Sequence, residues 1–280
     1  MKKKFYEQYF QNYSLATILY DIGIRIRRKY VTSNIKKNYD KLLDLGCGIE
    51  TSFLNTKNNK TIRMDYALNT LLTAQKLSKQ QLTLINGDAL KLPFLDNSFD
   101  TIVSQNVLEH IKNDQQVINE IYRILKPGGI AIISVPAGLL ENLSEKEKKI
   151  TPDHFRKYTH NRWKNLTKNL FSIEDIKFSQ KAINLLWPFF IKIFACSHSI
   201  YKKLFFIKTK KTYYEWKLYK ILIPILEYCF WKLDNLLAKQ ESFLAIQNYS
   251  ICVILKKAKN LPYFSPTKQK IGNIISTAKF

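Results

Sequence analysis

The sequence predicts a doubly wound α/β domain on a mostly parallel sheet, and three observations predict it. Short apolar runs ending in an acid or a glycine recur through residues 41–136. Amphipathic stretches of helical length alternate with them. A glycine-rich turn follows the first run, at the place where open α/β sheets bind ligands beyond the carboxyl ends of their strands.

The elements follow in order. KLLDLG (41–46) is a short buried strand with a glycine stop, and TIRMDY (61–66) is a second strand ending in an acid. LNTLLTAQKLSK (68–79) is an amphipathic helix. LTLINGDA (82–89) and FDTIVSQNV (99–107) are the third and fourth strands. NDQQVINEIYRILKPGG (113–129) starts polar and reads as a helix closed by Pro127 and a glycine pair. IAIISVP (130–136) is the fifth strand, THNRWKNLTKNLF (159–171) a helix capped by Thr159 or Asn161, and SIEDIKFSQ (172–180) the sixth strand. SICVILKKA (250–258) is a strand that comes far later. The organisation expected is an N-terminal helical segment (1–40), a core (41–180), an amphipathic helical insertion (181–249), the final strand (250–258) and a polar tail (259–280).

Of the 280 residues 46% are hydrophobic, enough for a packed core. The four cysteines, Cys47, Cys196, Cys229 and Cys252, are scattered without a CxxC pair, so no metal site and no disulfide framework is expected. That spacing suits a reducing, cytoplasmic setting. The N-terminal stretch MKKKFYEQYFQNYSL lacks an apolar h-region, so no signal peptide is read there. Formal net charge is +23, but residues 41–180 hold 19 basic against 15 acidic residues, so most of the surplus lies in the flanks. Basic flanks suit nucleic acid or an anionic membrane. An AT-rich coding bias toward Lys, Asn, Ile, Phe and Tyr accounts for them as well.

Gly46 and Gly48 let the backbone approach a ligand after the first strand. Asp65 lies 21 residues beyond Asp44, where an acid bonds ribose hydroxyls. Glu50 then separates two classes of ligand. A carboxylate in this turn repels a pyrophosphate and attracts a cation. The ligand expected is nucleoside-like and cationic rather than a dinucleotide.

LLDLGCGIE, RMDYA, INGDALKLPFLDNSFDTIVSQNVLEHI and ILKPGGIAIISVP resemble, in order and spacing, the successive motifs of class I S-adenosylmethionine-dependent methyltransferases. The resemblance covers about residues 41–136, and Glu50 stands where the family usually has a third glycine. It implies a seven-stranded sheet with the sixth strand parallel and the last antiparallel, and S-adenosyl-L-methionine as cofactor. It implies that Asp44 helps hold the methionine end, with Gly46, Cys47 and Gly48 supplying backbone around it. Asp65 would take the ribose hydroxyls, Tyr66 pack beside adenine, Asp88 receive the adenine amino group and the Ala89 amide face the ring. Gln105 and Asn106 would border the methionine and the methyl. Cys47 reads as a small turn residue rather than a nucleophile.

Methyl transfer needs a base only when the acceptor must lose a proton. Glu109 and His110 in VLEHI, and Asp153, His154, Arg156 and Tyr158 in PDHFRKYT, are the candidates, with His154 and His110 named as catalytic. A similar His-x-Arg segment follows the fifth strand in methyltransferases resembling this one. By the same topology, residues 181–249 join the sixth and seventh strands beside the active-site mouth. INLLWPFFIKIFAC and LYKILIPILEYCFWKLDNLL fall short of a membrane span, and residues 181–247 hold 11 Lys against 4 acids. The expected partner is a small-molecule, lipid-linked or glycan-precursor acceptor, with peripheral contact to an anionic membrane. SQNVLEH lacks the [DNS]-P-P-[YFW] loop of nucleic-acid methyltransferases, so nucleic acid is the alternative, not the expectation. An inactive binding protein on the same fold is a third reading, opposed by Asp65 and Asp88. The acceptor, its attacking atom and the oligomeric state stay open.

Overall fold

The computed structural model describes residues 22–35, 39–49, 54, 61–78, 80–138, 140–179, 217–237 and 249–259. Glu50, residues 1–21, most of the insertion and the polar tail lie outside these. The elements are α1 (Ile22–Asn34), β1 (Leu42–Leu45), β2 (Thr61–Asp65), α2 (Leu68–Leu77), β3 (Thr83–Asn86), β4 (Phe99–Gln105), α3 (Asp114–Ile124), β5 (Leu125–Ala137), α4 (Glu145–Ile150), α5 (His160–Thr167), β6 (Phe171–Ser179), α6 (Lys217–Leu237) and β7 (Tyr249–Lys257).

The strands form one seven-stranded sheet in the order β3-β2-β1-β4-β5-β7-β6. β1 to β5 pair in parallel, and β7 runs antiparallel to both β5 and β6. The order reverses between β1 and β4, which opens a crevice beyond their carboxyl ends.

Both faces of the central strands are covered, which is why they read as continuous apolar runs. Successive residues point to opposite faces. Leu43, Leu45, Ile102, Ala131, Ile133 and Val135 join one core with Val117, Ile118 and Ile121 of α3 and Trp163 of α5. Leu42, Val103, Ile130 and Ile132 point the other way and pack with Val31 of α1. α6 in turn lies on α1, where Arg25 pairs with Glu227 at 2.6 Å and Ile223 and Phe230 are buried. Among the described residues no helix is long and apolar enough to cross a membrane.

Two details differ from the sequence expectation. The helix expected over 113–129 ends at Ile124, because Leu125 already pairs with Phe99 of β4. The pairing then shifts register to Thr101↔Ile130, and Gly128 at φ +76° lies within the irregularity. α4 was not expected, although Ser144 and Glu147 form a reciprocal capping box at its start. Asp96 and Asp100 act structurally, Asp100 Oδ2 accepting the amides of Asp40 and Lys41, and Asp96 pairing with Arg123.

β7 is held by a buried lysine. Lys257 is 5% exposed, and its Nζ donates to Asn97 Oδ1 and to the carbonyls of Tyr122 and Leu125 at 2.7–2.9 Å. Its aliphatic stem is carried inward by the strand, and three oxygens compensate the charge.

Candidate active site

The glycine turn is locked from two sides. Gly46 adopts φ +73°, and a Cβ placed on it would collide with the Val107 side chain. The amides of Gly46 and Cys47 donate to the Met64 carbonyl at 2.7 and 3.1 Å, which draws the turn against the end of β2. Asp65 completes the lock. Its Oδ2 accepts the Gly48 amide at 3.0 Å and its Oδ1 accepts the Ala67 amide at 2.9 Å. Burial holds the Asp65 pKa above its usual range, although these amides favour the charged form.

Asp44 is 2% exposed, and its Oδ2 has no hydrogen-bond partner among the described residues. Burial pushes its pKa up to about 7, with Arg63, its cross-strand neighbour, pulling the other way. Burial likewise raises the Cys47 thiol, which suits a small turn residue and not a nucleophile.

A cleft of about 380 Å³ opens beside this turn, within the range of small-ligand sites. Its lining includes Gly46, Asp65, Tyr66, Asp88, Ala89 and Asn106, which come together from four separate stretches of the sequence. Asp88 shapes the adjoining loop, its Oδ1 accepting the Leu90 amide at 2.9 Å. Asn106 sits at φ +54° with its backbone amide donating to the Ser134 carbonyl, and its side-chain oxygen is buried without a partner among the described residues. Gln105 ends β4, half-buried, and is not part of that lining. Neither are Asp44, Cys47 and Gly48, which back the turn.

Sequence reasoning did not single out Met64, Gly87 or Val107, which also line the cleft. A Cβ on Gly87 would come within 2.5 Å of Met64 Cε, so that glycine keeps the floor open. The signal available was a glycine immediately before the Asp at a strand end.

The far wall carries His110 and Asp153. His110 Nδ1 lies 2.8 Å from Asp153 Oδ2. Burial disfavours the imidazolium, yet the Asp153 and Glu109 carboxylates outweigh it and raise the His110 pKa. His154 meets His110 edge-on with ring centroids 4.7 Å apart. Burial, helped by the charge of His110, lowers its pKa to about 4. Glu109 is fully buried, and burial raises its pKa to about 7. No metal site was expected from the spacing, yet the fold brings ligand atoms of Glu109, His110 and His154 within 4.8 Å of one another. Arg156 and Tyr158 brace this wall: Arg156 donates to the carbonyls of Ile111 and Lys112, and Tyr158 donates to Asp114 at 2.9 Å.

These residues fit a cationic nucleoside such as S-adenosylmethionine. Gly46 leaves a cradle that a Cβ would fill, and the orphaned carboxylate oxygen of Asp44 lies behind it.

Comparison with known proteins agrees. Residues 43–133 match the family model described as a methyltransferase domain. An uncharacterized protein of Methanocaldococcus jannaschii is 36% identical over 141 residues, 48% of this chain and 60% of that protein. A demethylmenaquinone methyltransferase of Streptomyces avermitilis is 32% identical over 127 residues, 44% of this chain and 54% of that protein. The chain thus spans little more than half the length of these curated relatives. A solved structure of Haemonchus contortus phosphoethanolamine N-methyltransferase 2, in complex with phosphomonomethylethanolamine and S-adenosylhomocysteine, shares the fold. Its TM-score is 0.53 at 21% identity, covering 86% of this chain and 53% of that one. Motif order and family match agree over residues 43–133, a region similar to the methyltransferase domain, set in a sheet of matching topology.

Proposed function

We propose that this protein transfers a methyl group from S-adenosylmethionine to a small-molecule acceptor held against the His110 wall of the cleft. The observation that carries the reading is the cleft itself, with a cramped glycine turn and Asp65 on one side and the His110–Asp153 pair on the other. S-adenosylmethionine, when bound, supplies a methyl group on a sulfonium that is its own leaving group. The chain's part is to orient and to exclude water. Asp65 holds ribose hydroxyls, with Tyr66, Asp88 and Ala89 around the base. Asp44, the Gly46–Gly48 backbone and Asn106 border the methionine end. Met64, Leu90 and Val107 give the cleft apolar walls. His110 faces the acceptor, Asp153 fixes its ring, and His154 supports it from behind.

The acceptor proposed is lipid-linked. Ile221, Ile225 and Tyr228 of α6 are 67%, 60% and 54% exposed, and their spacing puts them on one helix face. Together with the lysine-rich composition of residues 181–247, this stripe suits peripheral contact with an anionic leaflet.

Calorimetric titration tests the cofactor reading. S-adenosylhomocysteine should bind the chain one to one and NAD should not; preference for NAD overturns the proposal. Labelled methyl donor incubated with lipid extracts should then yield a labelled product, and labelling confined to RNA would move the acceptor to the other class.

A further inference from the structure

We propose that Glu109, His110 and His154 together bind one divalent transition-metal ion on the wall of the cleft. Glu109 and His110 come from the tight turn after β4, and His154 from the loop that leads into α5. Each residue offers one ligand atom, and these atoms lie within 4.8 Å of one another. Glu109 Oε1 stands 4.0 Å from His110 Nε2. Metal bonds of about 2 Å put neighbouring ligand atoms roughly 3 Å apart. Closing on an ion therefore asks the ligand atoms to draw together by up to about 2 Å.

The independent observation is the Glu109 carboxylate. The residue is 0% exposed, and neither of its oxygens has a hydrogen-bond partner among the described residues. A carboxylate buried that way is heavily penalised unless a cation compensates it. His110 and, less strongly, Arg27 of α1 contribute positive charge to it but leave both oxygens unbonded.

His110 is arranged as ligating histidines are. Its Nδ1 lies 2.8 Å from Asp153 Oδ2, and its Nε2 is on the Glu109 side. The contact lacks hydrogen-bond geometry as it stands, and a small turn of the ring toward Asp153 would make the far nitrogen a better donor. Two imidazoles and one carboxylate suit zinc, cobalt, iron(II) or manganese rather than calcium or magnesium. Three protein ligands leave coordination positions open. His110 and Asp153 line the cleft, so those positions face the space assigned to the acceptor, where an acceptor oxygen or nitrogen would complete the shell. That last point rests on the methyltransferase reading; the binding of the ion does not.

The probe is the metal alone. Full-length protein, stripped with chelator and dialysed, is titrated with Zn²⁺ by calorimetry and with Co²⁺ by visible absorption. One ion per chain is expected, with Co²⁺ bands of nitrogen and oxygen ligation and no thiolate charge-transfer band. Glu109→Gln and His154→Gln should each weaken binding tenfold or more, and Asp153→Asn about tenfold. S-adenosylhomocysteine binding is measured on the same samples. His154→Gln should lose the metal and keep the nucleoside. Wild-type protein that binds metal but no nucleoside would sink the methyltransferase reading and leave the metal site standing. Absence of one-to-one metal binding, a thiolate band, or unchanged affinity in His154→Gln overturns the metal site. His154 is only partly buried, so that variant decides if Glu109→Gln does not fold, and the wild-type Co²⁺ spectrum decides if neither does.

Discussion

Asp65 and Gly48 are joined across the cofactor turn: the Asp65 Oδ2 accepts the Gly48 amide at 3.0 Å, while its Oδ1 is held by the Ala67 amide at 2.9 Å. One carboxylate thus shapes the turn and faces the cleft. Asp65→Ala should weaken S-adenosylhomocysteine binding by about 1.5–3 kcal/mol, the scale of a hydrogen bond to a charged group. Asp65→Asn should lose less, since its amide oxygen still accepts one of the two N–H groups. Calorimetry giving wild-type affinity for Asp65→Ala would remove this residue from the site.

Gly46 carries two separable constraints, a left-handed backbone and a collision with Val107. Gly46→Ala should cost about 1–2 kcal/mol for the backbone alone, with a further loss from the collision. Val107→Ala combined with Gly46→Ala should recover the second part and leave the first. Thermal unfolding of the four proteins measures the cycle, and strictly additive losses would mean the collision is relieved some other way.

Asp114 gathers charge behind the His110 wall. Arg162 Nη2 lies 2.7 Å from its Oδ2, Arg156 Nη1 3.2 Å, and Tyr158 donates to it at 2.9 Å. Breaking such a buried cluster from one side typically costs about 3–5 kcal/mol. Asp114→Ala should therefore lower the urea midpoint sharply, and Asp114→Asn less. A loss within experimental error would show that the two arginines reach solvent when released.

Asp44 sets a pH dependence of definite sign. Burial raises its folded pKa from the usual 3.8 to about 7. Between these values the folded state holds a proton that the unfolded state has lost. Stability therefore falls as pH rises from about 4 to about 7, by up to about 1.4 kcal/mol per unit, and levels off above. Asp44→Asn should flatten that part of the profile relative to wild type. Denaturation series at half-unit steps check it; a slope unchanged by the substitution would mean that Asp44 is ionised throughout.

Membrane contact through α6 is measured by flotation. The protein should rise with anionic vesicles at low salt and release at high salt, because exposed charges are screened. Ile221→Asp with Ile225→Asp should abolish flotation and leave S-adenosylhomocysteine binding intact. Flotation unaffected by the pair would place the contact elsewhere, and wild-type protein that never floats would end the membrane proposal.

Strand β1 was legible because burial on both faces writes an apolar run into the sequence, whereas β2 (TIRMD) and β4 (FDTIVSQ) carry polar residues and were legible from their alternation with helices. Thr159 was legible as a cap because a hydroxyl there has one evident use, and it accepts the Arg162 amide at 3.0 Å. The start of β5 was not, since Leu125 follows the helical period and only its pairing with Phe99 makes it a strand. In the site, Asp65, Asp88 and Asn106 could be read from motif position. Glu109 could be named but its burial could not, because an acid beside a histidine reads as solvated surface. The meeting of His110 with His154 depends on a chain reversal 44 residues long, which leaves no local trace. Glu50, the residue that separated two ligand classes, lies outside the described residues.

The place of β7 in the sheet has a consequence for how the molecule is made. It slots between β5 and β6, although both precede it by many residues. Until Tyr249–Lys257 leaves the ribosome, two neighbouring strands present open hydrogen-bonding edges to the cell. The gap is bordered by the unpaired backbone of β5 and β6, and three oxygens wait beside it for Lys257. Closure by so late a segment is a long-range event and correspondingly slow. A nascent chain of this protein is therefore most exposed to mispairing just before its last strand arrives.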